Sequence, residues 1–201
     1  MKYIFSLVLS AFYLVSCQAQ DLENVKGLEV GEKAPLLVLE DAEGEKVNLK
    51  SALEEGPIVL VFYRGQWCPY CNKHLAELNG IADSLEDLGV QLYAISPDKP
   101  ELLSEMQEKT EAKFTLLHDS AYQTILAFDL AFQPSSATRF KYKTILGADL
   151  SEDHGDEREL LPVPATFLID EEGIIRWRHF DPDYKNRSNP SEVLEAAQKL
   201  P

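Results

Sequence analysis

Hydrophobic positions along the chain form two kinds of pattern, short continuous runs and longer stretches with helical spacing. Residues 58–63 form a continuous apolar run, which is typical of a strand covered on both faces of a sheet. From residue 69 to 88 apolar residues recur at helical spacing and Gly89 follows, which predicts one amphipathic helix. Residues 90–96 and 114–118 predict two further strands.

Two pairs of short strands are predicted to form hairpins. In the first pair, residues 36–40 and 46–49 flank a turn-rich acidic segment. In the second pair, residues 165–169 and 174–179 flank a turn at residues 170–173. One hairpin therefore precedes the central apolar strand, and the other follows all the remaining predicted strands.

Three more helices and one long connection complete the pattern. Asp98 is predicted to be the N-cap of a helix that extends to residue 109, because a glutamate follows three positions later. Residues 121–130 have helical spacing, and Asn189 before a proline predicts the start of the last helix. Residues 132–161 are interpreted as an irregular insertion whose acidic run is a solvated loop.

The order of these elements predicts an α/β protein with one central mixed sheet flanked by helices. An N-terminal hairpin and an insertion before the late hairpin distinguish this predicted fold. Residues 31–201 are predicted to form a single domain, which is long enough to bury a substantial core.

Residues 1–16 are interpreted as a lipoprotein-type signal peptide. Residues 4–15 are apolar, of signal-peptide length, and too short to span a bilayer. They lead to a small residue before Cys17, which resembles the lipobox of bacterial lipoproteins. Cys17 would then be the lipidated first residue of a protein anchored in the cell envelope, with residues 17–30 as a tether. The alternatives are cleavage near Ala19, which would release a soluble periplasmic or secreted protein, and a cytoplasmic chain.

Acidic residues outnumber basic ones, 34 against 19, and the formal net charge is −15. Such a chain is repelled by nucleic-acid phosphates and by anionic lipid headgroups. Nucleic acid is therefore excluded as a partner, and any contact with a membrane has to come from a lipid anchor.

Two of the three cysteines, Cys68 and Cys71, follow the central strand and lie at the start of the predicted helix. Side chains three residues apart face each other there, so a disulfide can close without large backbone movement. Because a helix N-terminus favours a thiolate, Cys68 is predicted to be the exposed nucleophile and Cys71 the resolving thiol. The alternative is half of a zinc site, but neither a second cysteine pair nor paired histidines exist, so no metal is predicted.

With these features the chain resembles the thioredoxin superfamily. More narrowly, it resembles peroxiredoxin-like proteins of the alkyl hydroperoxide reductase and thiol-specific antioxidant family. The similarity extends from residue 31 to residue 200. It rests on four segments: residues 30–35, 59–71 with Trp-Cys-Pro-Tyr-Cys at its end, 161–170, and 181–184.

The resemblance implies a thioredoxin-like fold and a thiol chemistry that needs no cofactor. It also implies that Pro164 is the cis-proline facing the active-site disulfide, with the Val163 backbone lining the site. The alternative is that Pro164 simply begins a strand. Trp67 and Tyr70 are expected to form an apolar wall of the substrate site.

One departure from the family pattern concerns the residues that orient peroxide. The positions that typically hold Pro and Thr before the reactive cysteine are occupied by Val61 and Gly65, and Pro164 stands where the usual Arg would lie. Arg64 is predicted to bind substrate in its place, since a guanidinium stabilises developing negative charge. Arg139 is a second candidate for the same role.

Two functions follow as hypotheses. In the first, the chain is a peroxidase whose Cys68–Cys71 pair is re-reduced by a thioredoxin-like donor. In the second, it is a membrane-anchored thiol-disulfide oxidoreductase that acts on protein disulfides. A non-enzymatic binding module is disfavoured by the intact dithiol.

Overall fold

The computed structural model describes residues 21–200, so the predicted signal peptide and Cys17 lie outside the described residues. The strands β1 to β9 are Val38–Asp41, Lys46–Asn48, Ile58–Phe62, Gln91–Ser96, Thr115–His118, Ala131–Phe132, Leu161–Pro162, Ala165–Ile169 and Ile175–Phe180. The helices α1 to α7 are Leu49–Ala52, Pro69–Asp87, Pro100–Thr110, Gln123–Ala127, Ser136–Lys141, Leu150–His154 and Pro190–Ala197. A π-helix covers Tyr142–Leu146, and 3₁₀ turns cover Leu22–Asn24 and Ser120–Tyr122.

Seven strands form one mixed sheet in the order β2-β1-β5-β4-β3-β8-β9. Strand β3 pairs in parallel with β4 and antiparallel with β8, and β4 pairs in parallel with β5. Both predicted hairpins, β1–β2 and β8–β9, are present. The predicted central mixed sheet is therefore confirmed, and β6 and β7 pair separately as a two-stranded ladder.

Strand β3 separates two halves of the core, and every one of its residues is buried. Val59 and Val61 belong to one half, whereas Leu60 and Phe62 belong to the other, because successive side chains of a strand alternate. Each such buried aliphatic or aromatic side chain contributes about 1.5–3 kcal/mol through burial. The first half also contains buried residues of three helices: Leu75, Leu78, Leu85, Leu103, Met106 and Val193. The second half includes several aromatic rings among its aliphatic side chains: Phe62, Phe128, Phe167 and Tyr122.

The predicted irregular insertion is wrong in part, because residues 132–161 contain α5, the π-helix and α6. These elements are short, and tertiary contacts rather than sequence periodicity stabilise them. Ala148 and Leu150 are buried in the first half of the core. The acidic run, predicted to be a solvated loop, contributes the end of α6, where His154 is buried.

The predicted N-cap of α3 is also wrong. The N-cap residue is Lys99, whose side chain makes no capping hydrogen bond. Asp98 is instead fully buried, and its Oδ2 accepts a hydrogen bond of 2.7 Å from the backbone N–H of Gln66. The last helix does begin as predicted, because the Asn189 side chain accepts from the Ser191 N–H at 2.9 Å. Within residues 21–200 none of the helices is both long and apolar enough to cross a bilayer.

Candidate active site

Cys68 and Cys71 lie where β3 leads into the first turn of α2. Cys68 is the N-cap residue, with extended φ and ψ of −89° and 110°, and Pro69 begins the helix. The Cys68 carbonyl accepts hydrogen bonds from the N–H groups of Cys71 at 3.0 Å and Asn72 at 3.1 Å. Both cysteines are free thiols. Cys68 was predicted to be exposed, but only 1% of its surface is accessible, and it belongs to the same buried cluster as Trp67.

The two thiols have opposite electrostatic character. The pKa of the Cys68 thiol is lowered to about 6, chiefly by the hydrogen bond from Cys71 and also by the positive charges of Arg64 and Arg187, against the opposing effect of burial. Burial raises the pKa of the Cys71 thiol well above its ordinary value. Near neutral pH, Cys68 is therefore mostly thiolate and Cys71 stays protonated as its hydrogen-bond donor.

Arg64, two residues beyond β3, is buried inside an aromatic cage made of Trp67, Tyr142 and Tyr184. Its guanidinium carbon lies 4.8, 4.9 and 4.4 Å from the centres of these three rings, respectively. Its Nε and Nη2 are shielded from solvent and have no hydrogen-bond partner among residues 21–200. Two nitrogen donors of the permanently charged Arg64 are thus available at the dithiol turn. They can bind an anion or stabilise an oxygen atom that becomes negatively charged during a reaction.

The predicted aromatic wall comprises Trp67 and Tyr70. Trp67 is buried and packs on Tyr142 with ring centres 4.9 Å apart. Tyr70 is 41% exposed and meets Tyr184 edge to face at 5.5 Å. The structure therefore brings both predicted rings to the dithiol turn and adds two tyrosines that come from later in the chain.

The prediction of a cis-proline at Pro164 is wrong, because every peptide bond in the described residues is trans. The Val163 N–H donates to the Leu130 carbonyl at 2.8 Å and is therefore not free to pair with a substrate chain. This hydrogen bond extends the β6–β7 ladder, in which Ala131 lies opposite Pro162, by one residue. Pro164 immediately precedes β8, which fits the alternative that it leads into a strand.

Arg139, the other candidate for the missing arginine, is bound elsewhere. Its Nε forms an ion pair with Glu159 at 2.8 Å, and its Nη1 donates to the Pro134 carbonyl at 3.0 Å. Of the two candidates, only Arg64 lies beside the reactive sulfur.

Asp98 was not recognised as part of the site. Burial raises the pKa of its carboxyl to about 8, and its Oδ1 lies 3.8 Å from His154 Nε2. Gly65 allows the close approach of the dithiol turn to this carboxyl. A Cβ at Gly65 would lie 2.5 Å from Trp67 Nε1 and 2.8 Å from Asp98 Oδ1, and φ is +150°. The glycine where a family threonine was expected therefore has a steric reason.

Arg187 was also missed, since it lies far from the cysteines in sequence. Its Nη2 is 3.5 Å from Cys71 Sγ. The next residue, Ser188, is buried and hydrogen bonded through Oγ to His74 Nε2 and to Thr166 Oγ1, both at 2.9 Å. The only sequence signal nearby was the family-like segment 181–184.

The pKa of His74 is lowered to about 3, first by burial and then by the charge of Arg187. His74 is therefore neutral near pH 7 and does not supply positive charge to the thiols. In the described part of the chain, no group of three or more His, Cys, Asp or Glu residues is arranged to hold a metal ion.

Comparisons with known proteins identify the family of the chain. The AhpC/TSA family model matches residues 30–178. Peroxiredoxin Bcp of Escherichia coli strain K12 is 33% identical over 168 residues, which cover 83% of this chain and 94% of that protein. The thiol-disulfide oxidoreductase ResA of Bacillus cereus is 24% identical over 174 residues, or 87% of this chain and 83% of that protein.

The crystal structure of peroxidoxin BcpB from Mycobacterium tuberculosis aligns with a TM-score of 0.66 and 19% identity, covering 87% of this chain and 99% of that one. This likeness confirms the predicted thioredoxin-like architecture. The family model and the 33% identity extend over most of the chain and include the dithiol turn. The chain therefore belongs to the AhpC/TSA family.

Proposed function

We propose that the chain is a thiol-dependent peroxidase in which Cys68 attacks the peroxide and Cys71 resolves the product. The observation that carries this proposal is the pairing of a Cys68 thiol, whose pKa is about 6, with the buried Arg64 cation. A thiolate at neutral pH beside unpaired guanidinium donors is what nucleophilic attack on an O–O bond requires.

In the first step the Cys68 thiolate attacks one peroxide oxygen. An S–O bond forms, the O–O bond breaks, and the leaving oxygen departs as an alcohol or water after gaining a proton. Cys68 is oxidised to the sulfenic acid while the peroxide is reduced. The buried Nε and Nη2 donors of Arg64 stabilise the charge that develops on the leaving oxygen.

In the second step the Cys71 thiolate attacks the Cys68 sulfur. The S–S bond forms, the S–O bond breaks, and the oxygen leaves as water. A thioredoxin-like donor then supplies two electrons through its own dithiol, which attacks the disulfide and restores both thiols. The protein side of this cycle requires only the two cysteines and the residues around them, and no cofactor.

The burial of Cys68 favours a small substrate. With 1% of its surface accessible, the thiolate can be reached by a peroxide after a small movement of the surrounding rings. Attack on the disulfide of a folded protein needs three sulfur atoms in line, and therefore a larger opening.

The test uses a chain carrying Cys17→Ala, so that Cys68 and Cys71 are the only thiols. The reduced chain is mixed with hydrogen peroxide, and tryptophan fluorescence and the loss of thiols are followed in time. We expect rapid oxidation that disappears in Cys68→Ser. Cys71→Ser should still react once and accumulate sulfenic acid. Slow oxidation, equal in the parent chain and in Cys68→Ser, would contradict the proposal.

A second candidate function is reduction of protein disulfides. It is favoured by the similarity to ResA and by Val61 and Gly65, which replace the residues that usually orient peroxide. If this function is correct, a disulfide-bonded protein will be reduced faster than peroxide, and Cys71→Ser will accumulate a mixed disulfide. The same C17A chain and variants serve in both assays.

We further propose that residues 1–16 are removed and that Cys17 carries a lipid that anchors the protein in the cell envelope. The support is the apolar segment at residues 4–15 and the lipobox-like residues before Cys17. The domain at residues 31–201 would then face away from the cytoplasm on a short tether. Mass spectrometry of the mature N-terminus is expected to find a diacylated Cys17. An unmodified N-terminus near Ala19 would indicate a soluble periplasmic or secreted protein instead.

A further inference from the structure

We propose that Arg187 is a catalytic residue of the dithiol, and that its guanidinium stabilises the Cys71 thiolate whenever that thiolate forms. This happens twice in a cycle, when Cys71 attacks the oxidised Cys68 and when Cys71 leaves during re-reduction. The inference rests on the proposed dithiol chemistry, but it holds for a peroxide and for a protein-disulfide substrate alike.

The first argument is contact. Nη2 of Arg187 lies 3.5 Å from Cys71 Sγ, which is hydrogen-bonding distance for an N–H donor and a sulfur acceptor. Cys71 is fully buried and makes its own hydrogen bond to Cys68. The guanidinium therefore touches one of the two reacting sulfur atoms directly.

The second argument is that the guanidinium is incompletely paired. Nε and Nη1 of Arg187 are shielded from solvent and have no hydrogen-bond partner among residues 21–200. A buried charged donor without a partner is costly, so it needs a functional explanation. Negative charge that exists only transiently at Cys71 provides that explanation, because the donors are held in place before the charge appears.

The third argument concerns position. Ser188 lies directly after Arg187, is buried, and is hydrogen bonded to His74 on α2 and to Thr166 on β8. These bonds attach the Arg187 backbone to the helix that carries Cys71 and to the central sheet. The cation is therefore positioned by the fold and does not depend on a flexible surface loop.

The fourth argument excludes other sources of charge. Burial raises the pKa of Cys71, and the neighbouring Cys68 raises it further, whereas the charge of Arg187 and, to a smaller extent, a hydrogen bond from the Arg64 backbone lower it. His74 is neutral because its pKa is about 3. Among the described residues, the side-chain hydrogen bond to Cys71 Sγ from a cation is that of Arg187, so loss of Arg187 would leave the buried Cys71 thiolate without this contact.

Re-reduction of the Cys68–Cys71 disulfide needs no reactant other than the donor dithiol. In re-reduction, a thiolate of the donor attacks the Cys68 sulfur, a new S–S bond forms, and the Cys68–Cys71 bond breaks. The electron pair of the broken bond stays on Cys71, which leaves as a thiolate beside Arg187. A leaving thiol departs faster when its thiolate is stabilised, so the rate of this step reports on the guanidinium.

The experiment measures this step without peroxide. The C17A chain is oxidised to the Cys68–Cys71 disulfide with diamide, and its reduction by dithiothreitol is followed by tryptophan fluorescence. We expect Arg187→Met to slow reduction by about tenfold to hundredfold, because a charge-assisted hydrogen bond to the leaving sulfur is lost. Arg187→Lys should recover part of the rate. Arg176→Met is the matched control, since Arg176 of β9 pairs with Asp170, and this variant should be reduced at the parent rate.

Two further observations distinguish a catalytic role of Arg187 from a merely structural one: the rate of Cys68 oxidation and the behaviour of a second variant. If Arg187 acts on Cys71, Arg187→Met slows disulfide formation from the sulfenic acid much more than it slows oxidation of Cys68. Circular dichroism checks folding, and Arg187→Gln, which keeps a polar head without charge, decides the question if the methionine variant does not fold. Reduction within twofold of the parent rate in the folded uncharged variant would overturn the proposal. A parent chain inert to peroxide refutes the peroxidase alone, because the dithiothreitol measurement remains interpretable.

Discussion

The guanidinium of Arg64 lies 4.4 Å from the centre of the Tyr184 ring. The two residues are far apart in the sequence, Arg64 next to the central strand and Tyr184 after the last one. This contact joins the family-like segment 181–184 to the dithiol turn. The Tyr184 ring also covers the Arg64 guanidinium, which we propose to act on the substrate.

The cage around Arg64 makes a first prediction, for Tyr184. Tyr184→Leu removes one of three rings on the guanidinium, so we expect a loss of about 0.5–2 kcal/mol in the free energy of unfolding. We also expect slower oxidation of Cys68, because Arg64 is less well positioned. Tyr184→Phe keeps the ring and is the control. Urea denaturation and stopped-flow fluorescence measure the two effects, and identical behaviour of the Leu and Phe variants would contradict this role of the ring.

A second prediction concerns the charge of Arg64. Its positive charge helps to lower the pKa of the Cys68 thiol to about 6. In Arg64→Met the pKa of Cys68 should rise, so that less thiolate is present at pH 7 and alkylation by iodoacetamide becomes slower. Peroxide turnover should fall by about tenfold or more, since the oxyanion donors are lost as well. The pH dependence of alkylation gives the pKa directly, with Arg139→Met as control, and an unchanged midpoint in Arg64→Met would argue against this assignment.

A third prediction follows from the buried carboxyl of Asp98, whose pKa is raised to about 8 by burial. The folded state binds this proton more tightly than the unfolded state does. The contribution of Asp98 to stability is therefore greatest at acidic pH, and it is lost as the pH rises towards 8 and deprotonation leaves a buried charge. In Asp98→Asn this pH-dependent loss is absent. We expect the free energy of unfolding of the parent to fall relative to that of the variant between pH 5 and 8, as measured by urea denaturation, and parallel pH profiles would contradict it.

A fourth prediction concerns Ser188, which holds the segment that carries Arg187. Ser188→Ala removes hydrogen bonds to His74 and Thr166 and leaves buried polar atoms unsatisfied, so we expect a loss of about 1–3 kcal/mol in the free energy of unfolding. Ser191→Ala, at an exposed position in the same region, should have little effect. The same variant should also slow dithiothreitol reduction of the disulfide. Normal stability in Ser188→Ala would show that the three-residue network does not hold this segment.

The elements that the sequence predicted well are those with strong local patterns. The continuous apolar run of β3 correctly predicts a buried central strand, and the helical spacing after Pro69 correctly predicts α2. The prediction of an irregular insertion was wrong in part because the helices in it are too short to show periodicity. The prediction that Asp98 is an N-cap was wrong, because the local sequence does not distinguish an aspartate that caps a helix from one that is buried and accepts a hydrogen bond from a distant residue.

By itself, the sequence determined the dithiol, the helix that begins at Pro69, the order of the strands and helices outside residues 132–161, and the family. These depend on residue types and spacings within short segments, where the chemistry of one or two turns is decided. Only the tertiary structure decided which distant groups meet the sulfur atoms: Arg64 under Tyr184, and Arg187 on Cys71. A guanidinium acts over a few ångströms of space, whatever the distance along the chain, and the folding of the last strand and loop back onto α2 sets that distance.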